Sequence, residues 1–406
     1  MQKLTLLVLC LFPGYLFAQN ANNVLPQNNT VKDTAQQKDL IDIGKALFRI
    51  SPQKIRQERE KKIYFSIIPV SASGLGGTGN VLVTSTTAGV YLGPKSTTNL
   101  SSVTFAPYWN FKSRFGLPLR SNIWLKDNSW NIQGDTRFLY YPQYTWGLGS
   151  SHGSDEKLLV NYKYIRFYQS ALKKIRPYLF AGFGYNLDYH LNIASDDPSV
   201  TLKDYTGYER GTGRNSFSSG ITFNLLYDSR NNSINPLPGA YANIVYRVNP
   251  AFLGSNDTWS SLYTDVRKYI SMNPEKPNQQ NTLAFWSYLW TTFSNKTPYL
   301  SLPSIGWDPY NRSGRGIDQN RYRGRTLFYL ESEYRRDITE NGLLGFVVFT
   351  NINSVSGSGT LFTSWHPAVG TGLRVKFNKG SNTNIGVDYG ISKGYSNVLF
   401  SLGEAF

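Results

Sequence analysis

Three features of the sequence predict an all-β fold, a transmembrane antiparallel β-barrel of sixteen strands preceded by a short helical segment. The first is alternation. Thr371, Leu373, Val375 and Phe377 share one face of a run whose other face carries Gly372, Arg374, Lys376 and Asn378, the period-two signature of a strand with unlike sides. The second is an address. Residues 1–18 combine basic Lys3, an apolar run from Leu4 to Phe12 and small Ala18, the pattern of an export signal cut after Ala18. The third is that no later apolar stretch approaches the ~20 residues of a membrane helix; the longest candidate, Leu343 to Phe349, is far shorter. An exported chain that spans lipid without helices must do so as a closed barrel, which places it in a bacterial outer membrane.

Composition agrees. Charged residues make up 17% of the chain, against roughly 25% in ordinary soluble domains. Aromatics make up 15%, including 28 Tyr. Tyr and Trp favour membrane–water interfaces, so the clusters Tyr140, Tyr141, Tyr144, Trp146 and Trp286, Tyr288, Trp290 are expected in girdles. An aromatic-rich carbohydrate-binding β protein is the soluble alternative. The formal charge of +16 fits a basic lumen or basic belts against anionic head groups. An exported chain without a binding motif has no use for nucleic acid. Cys10 is the sole cysteine and lies in the signal, which excludes disulfides and thiol chemistry from the mature chain. Leu9 stands before it where a lipoprotein signal wants a small residue.

In chain order, residues 19–38 are Asn- and Gln-rich and expected to be disordered. Leu40 to Ile50 reads as a short amphipathic helix, and Ser51-Pro52 opens another, running to about Glu60. Residues 19–60 form a segment that could brace one mouth of the barrel, which occupies 61–406. Strands are expected at 61–71, 79–92, 97–112, 113–127, 129–147, 157–172, 174–191, 215–229, 238–249, 258–271, 280–294, 326–336, 343–354, 367–378, 383–392 and 396–406, an even number as single-chain bacterial barrels have. Phe328, Leu330, Ser332 and Tyr334 oppose Glu331, Glu333 and Arg335. Ile385, Val387, Tyr389 and Ile391 oppose Gly386, Asp388 and Gly390. A charge facing lipid at mid-membrane costs ~2–4 kcal/mol, so the charged faces point inward. The longest connection, 295–325, is of a length that is usually functional.

Two catalytic-looking motifs fail on context. Gly74, Gly76 and Gly79 spell G-x-G-x-x-G, but a strand follows where a dinucleotide site needs a helix. Gly149, Ser151 and Gly153 spell G-x-S-x-G within a hairpin loop, whereas a nucleophile elbow needs strand–turn–helix. His152, His190 and His366 lie too far apart for metal-ligand spacing. Neither an enzyme nor a cofactor is expected.

The segment WDPYNRSGRGIDQNRYRGRTLFYLESEYRRD carries Arg315-Gly316 in the long loop, then a strand bearing Glu331, Glu333 and Arg335. This resembles the bacterial surface-antigen superfamily, the BamA/TamA relatives, which also includes two-partner-secretion transporters. Further matches are YDSRNNSINPLPG, with Asp228, Arg230, Pro236 and Gly239; GTGLRVKF; VDYG; and the terminal GEAF, with Gly403 and Phe406 as a terminal-strand signal. The resemblance covers roughly 215–406 by motif and 61–214 by pattern. It implies that the loop folds into the lumen, that Arg315 is the tip arginine and Gly316 its glycine, and that Glu333 is an acidic partner. Three departures stand out. Ile317 follows where the family has an aromatic. Asn351 replaces an acid in the F-x-D-x-G pattern, so the contact would be weaker or rest mainly on Glu333. Residues 19–60 are too few for the POTRA domains that receive substrates in the family.

The resemblance implies a membrane-assembly or translocation component whose first strand (Tyr64 to Val70) and last strand (Val398 to Phe406) meet at a weak seam, with Pro69 and Gly403 poor for pairing. Its expected partners are outer-membrane lipids, a periplasmic or outer-membrane protein that delivers clients, and further copies of itself. A passive pore is the alternative, distinguished by where loop 295–325 lies.

Overall fold

The computed structural model describes residues 37–48, 63–73, 80–109, 114–150, 152–230, 232–276, 279–356 and 362–406. The signal, the 51–60 helix and the 74–79 glycine motif lie outside them. Helix α1 spans Leu40–Leu47. The wall comprises β1 (Ile63–Ser73), β2 (Asn80–Val90), β3 (Ser101–Phe105), β4 (Tyr108–Trp109), β5 (Phe115–Trp124), β6 (Trp130–Tyr140), β7 (Gln143–Thr145), β8 (Leu158–Arg176) and β9 (Leu179–Ser195). It continues with β10 (Asn215–Asp228), β11 (Gly239–Asn249), β12 (Trp259–Ser271), β13 (Asn281–Thr292), β14 (Thr326–Asp337), β15 (Leu344–Val355), β16 (His366–Asn378), β17 (Thr383–Ser392) and β18 (Tyr395–Leu402).

Apart from β3–β4 and β6–β7, each strand pairs antiparallel with the next in one sheet of eighteen segments. Both β3 and β4 pair with β2 and with β5, and both β6 and β7 pair with β8. Each pair is therefore one interrupted wall strand, which leaves the sixteen expected. Among the described residues no ladder joins β1 to β18. Pro69 sits within β1 opposite Thr84 and supplies no N–H.

Alternation decides the two faces. In β16, Val369, Thr371 and Leu373 are exposed while Gly372, Arg374 and Lys376 are buried. In β14, Glu331 and Glu333 are fully buried and Leu330 is exposed. Exposed Phe183, Phe223, Leu225, Ile244, Val348, Leu373, Val387 and Ile391 make the apolar belt a barrel turns to lipid. The two ends differ. One has brief turns such as 177–178, 338–343 and 379–382, and the other has the long connections 196–214 and 293–325. Outer-membrane barrels keep short turns at the periplasmic side.

The expected girdles are corrected in part. Trp286 and Tyr288 are buried at 0% and 1% exposure and line the lumen, because they share the parity of Ala284 and lie beside Glu331 and Tyr329 of β14. The opposite parity, Phe285, faces out. Tyr141 and Trp146 are also buried, and Tyr140 alone of its cluster is exposed.

Helix α1 is capped by Asp39, whose carboxylate accepts from the Asp42 N–H at 2.7 Å. The same carboxylate accepts from the Lys379 N–H at 2.8 Å, and the Lys379 ammonium reaches Asp42 at 2.5 Å. The Lys38 N–H donates to the Asn341 carbonyl at 3.0 Å. The start of α1 is thereby tied to the turns 338–343 and 379–382.

Candidate functional site: a loop clasped across the lumen

The connection from β13 to β14 is shaped from within by Asp308, which is fully buried. Its carboxylate accepts from the N–H of Ser313 at 2.8 Å and of Arg312 at 3.0 Å, and from the Ser313 hydroxyl at 2.6 Å. These bonds curl residues 308–313 and present Arg315 to the wall. The outer part of the loop is sewn to the long-loop end of the wall. Trp307 Nε1 and Asn320 Nδ2 both donate to the Gln143 side-chain oxygen at 2.9 Å, and the Gly149 N–H donates to the Arg323 carbonyl at 2.7 Å. Gly149, one of the three residues of the apparent nucleophile elbow, is thus a loop anchor.

Arg315 is 4% exposed and meets three carboxylates. Its Nε donates to Glu331 at 2.9 Å, its Nη2 to Glu331 and Glu333, and its Nη1 to Asp388 at 2.8 Å. Its guanidinium lies 3.7 Å from the centre of the Phe349 ring. A planar guanidinium with five fixed donors suits such a site better than an ammonium would. Gly316 has φ +84°, and a Cβ there would stand 2.7 Å from the Ile391 nitrogen and 2.9 Å from the Gly390 carbonyl carbon. The tip backbone therefore lies flat on a stretch of β17 that has no side chain at Gly390.

The residues carry on into the wall. Asp388 also pairs with Arg374 at 2.5 Å, and Arg374 with Glu404 at 2.8 Å. Glu333 pairs with Arg335 at 2.5 Å, and Arg335 donates to the Phe406 backbone oxygen at 2.9 Å. Arg312 of the loop donates to the backbone oxygens of Glu404 and Leu402. Buried charges need such partners, since removing one partner of a buried pair costs ~3–5 kcal/mol.

On the other side of the ring the polarity reverses. Arg120 of β5 and Arg137 of β6 donate to the Pro309 carbonyl at 3.0 and 2.9 Å, and Arg137 donates to the Asn311 side chain at 2.8 Å. Asp135 pairs with Arg137 at 2.5 Å and lies 3.4 Å from Arg166. Asp188 pairs with Arg247 at 2.5 Å. Inward arginines are thus offset by inward carboxylates, and the lumen carries both signs rather than a basic lining.

Two expectations about the tip and the chain end need correction. Asn351 does not leave the clasp resting mainly on Glu333: Glu331 and Asp388 also bind Arg315. Asn351 instead donates to the Arg315 carbonyl at 2.9 Å. Gly403 and Phe406 do not extend the last strand. Gly403 adopts φ +83° and ends β18 at Leu402, and the tail turns into the lumen. There Phe406 packs on Trp286 with ring centres 5.3 Å apart, and the Glu404 N–H donates to the Ile234 carbonyl at 3.0 Å.

The D-x-R…P-x-x-G segment lies at the short-turn end. Arg230 meets Asp228 through two bonds of 2.8 Å and stacks 4.3 Å from the Tyr241 ring centre. Pro236 is buried, and Gly239 opens β11 with φ +138°. The turn extends over the mouth, where Asn235 exchanges side-chain bonds with Gln280 and Asn382 donates to the Asn235 carbonyl at 3.0 Å. The histidines stay apart. His152 is beside Glu156, His190 is stacked on Tyr164, and His366 is stacked on Tyr322.

No protein-family model and no curated protein matches the chain. Solved structures do. BamA from Haemophilus ducreyi lacking POTRA domains 1-3 aligns over 86% of this chain and 77% of its own, at 14% identity and a TM-score of 0.51. This chain has the barrel fold of BamA. CdiB from Acinetobacter baumannii (12% identity, TM-score 0.53) and CdiB from Escherichia coli (10%, 0.54) align over 84% of this chain. The chain spans 60% and 62% of those two proteins. Within a BamA-type barrel, the clasp residues that motif reading missed are Glu331, Asp388, Arg120 and Arg137. Parity could have found them, since each lies on the inward face of its strand.

Proposed function

We propose that this outer-membrane barrel is a non-enzymatic component that inserts or translocates polypeptides, with a seam at β1–β18 and a lumen loop held by Arg315. The observation that supports the reading most is the clasp. A loop fixed to two walls would obstruct the lumen, so polypeptide or lipid would pass sideways at a seam that carries no ladder bonds among the described residues. An edge with unpaired N–H and C=O groups is a template for an incoming strand. The same clasp argues against a passive pore, which needs an open lumen. Client delivery would fall to a periplasmic or outer-membrane partner chain, or to a second copy.

The test is assisted folding. Liposomes holding the purified chain should speed insertion of a urea-unfolded outer-membrane barrel, followed by its heat-dependent gel mobility. A cysteine pair closing β1 onto β18 should abolish the effect when oxidised and restore it when reduced. Equal folding rates in empty and loaded liposomes would reject an autonomous insertase. Equal rates with the seam oxidised and reduced would reject the lateral route.

A further inference from the structure

The wall that carries the clasp is hollowed on its outer side. A groove of about 730 Å3 runs along the lipid-facing surface of β13–β17. Its floor is short: Ser332 and Thr350 are cross-strand partners, with Thr371 one strand further on. Its banks are Tyr334, Val369 and Tyr389. The two floor threonines turn their hydroxyls onto the backbone, Thr371 donating to the Val347 carbonyl at 2.9 Å and Thr350 to the Ala368 carbonyl at 3.3 Å. Apart from Ser332, the groove therefore presents mainly hydrocarbon. It opens on the apolar belt, where lipid is the available occupant, and its volume falls within the ~300–1,000 Å3 of ligand sites.

A charge marks one end. Arg336 follows Tyr334 by two residues on β14, about 7 Å further along the strand toward the short-turn, periplasmic end. It is the one charged residue on the outward faces of β13–β17 among the described residues, and it is exposed. No described carboxylate pairs with it. Its cross-strand partner Phe346 packs edge-on against Tyr334, with ring centres 6.1 Å apart, an aromatic pair suited to the membrane interface. A bare cation on a lipid-facing strand is costly in hydrocarbon and favourable beside a phosphate.

We propose that this groove is a binding site for an anionic phospholipid of the periplasmic leaflet, with an acyl chain lying over Ser332, Thr350 and Thr371 and the phosphate at Arg336. The site backs directly onto the clasp. Phe349, next to Thr350 in the chain, is the inward ring beneath Arg315. Gly370, next to Thr371, leaves room for that ring, since a Cβ there would stand 2.2 Å from it. Only backbone and one ring separate the lipid from the loop tip.

The test uses the full chain in phosphatidylethanolamine nanodiscs carrying a small fraction of phosphatidylglycerol with a photoreactive acyl chain, and maps adducts by mass spectrometry. Adducts should concentrate at 332–334, 348–350 and 369–371 over the outward faces of β9 and β10. Thr350→Trp, which fills the groove, should remove them. Arg336→Gln, a rim change that leaves packing alone, should lower phosphatidylglycerol labelling roughly fivefold and leave a phosphatidylethanolamine probe unchanged. Even labelling around the barrel, protein–protein adducts at the groove in place of lipid adducts, or an Arg336→Gln variant with an unaltered preference for phosphatidylglycerol would each overturn the proposal.

Discussion

The loop between β13 and β14 is held by two walls in opposite ways. On β14–β17 the loop supplies the cation and the wall supplies the anions: Arg315 lies among Glu331, Glu333 and Asp388, all almost fully buried. On β5–β6 the wall supplies the cations and the loop offers neutral acceptors, the Pro309 carbonyl and the Asn311 side chain, and the Arg120 side chain is 32% exposed. A buried guanidinium among carboxylates has one good position, because displacing it strands charges in low dielectric. A carbonyl facing arginines can exchange them for water at little cost. The β14–β17 side is therefore the fixed hinge of the loop, and the β5–β6 side the part that can let go.

The sharpest break in this contrast is Arg315→Ala. It leaves three carboxylates without their shared cation and should cost ~3–5 kcal/mol, read as a lower unfolding temperature and as new proteolytic cuts within 306–325. Arg315→Lys should recover only part of that, because an ammonium cannot serve three carboxylates from one plane. Asp388→Asn removes one charge-assisted acceptor from both Arg315 and Arg374 and should cost ~1.5–3 kcal/mol. If it proves silent in thermal unfolding, the β17 contact contributes nothing and the clasp rests on β14 alone.

Gly316→Ala sharpens the geometric half of the contrast. A methyl group would press on the β17 backbone at a residue whose φ of +84° already disfavours side chains, with an expected cost of about 1 kcal/mol or more and a tip displaced from Gly390. Cross-linking between cysteines placed at 317 and 391 should fall in this variant. On the opposite wall, Arg137→Ala removes charge-assisted bonds to the loop worth ~1.5–3 kcal/mol and also the partner of Asp135 at 2.5 Å, so its mark is local release of the loop, and Arg120→Ala should cost less than ~1 kcal/mol. Both should loosen protease access near 309–311 while leaving 315–317 protected. Equal sensitivity of the two sides would erase the distinction between hinge and latch.

Much of this architecture can be read from residue parity. The barrel, its strand positions and the inward faces of β14, β16 and β17 follow from alternation and from the expense of charges in lipid. The resemblance singles out Arg315 and Glu333, which the fold brings into contact. Other parts escape a reading along the chain. Asp388 lies 73 residues from Arg315; parity turns it inward between Gly386 and Gly390, but nothing along the chain says which loop it meets. Trp286 and Tyr288 suit an interface by residue type, yet the same amphipathic rings also suit a crowded polar lumen. Only their parity with Ala284 separates the two settings. Phe406 looks like the end of a lipid-facing strand until the left-handed turn at Gly403 sends it inward, a choice made by Arg374, Arg335 and Trp286 from three other strands.

If the Arg315 clasp holds the loop across the lumen and closes it, breaking the clasp must open a pore. Single-channel recording in planar bilayers tests it most directly, comparing the wild-type chain with Arg315→Ala, each first shown to be folded by heat-dependent gel mobility. A closed lumen gives small, rare openings for the wild type and a large, sustained conductance for the variant. A wild-type barrel that already conducts like an open pore, or a variant that conducts no more than the wild type, would contradict it.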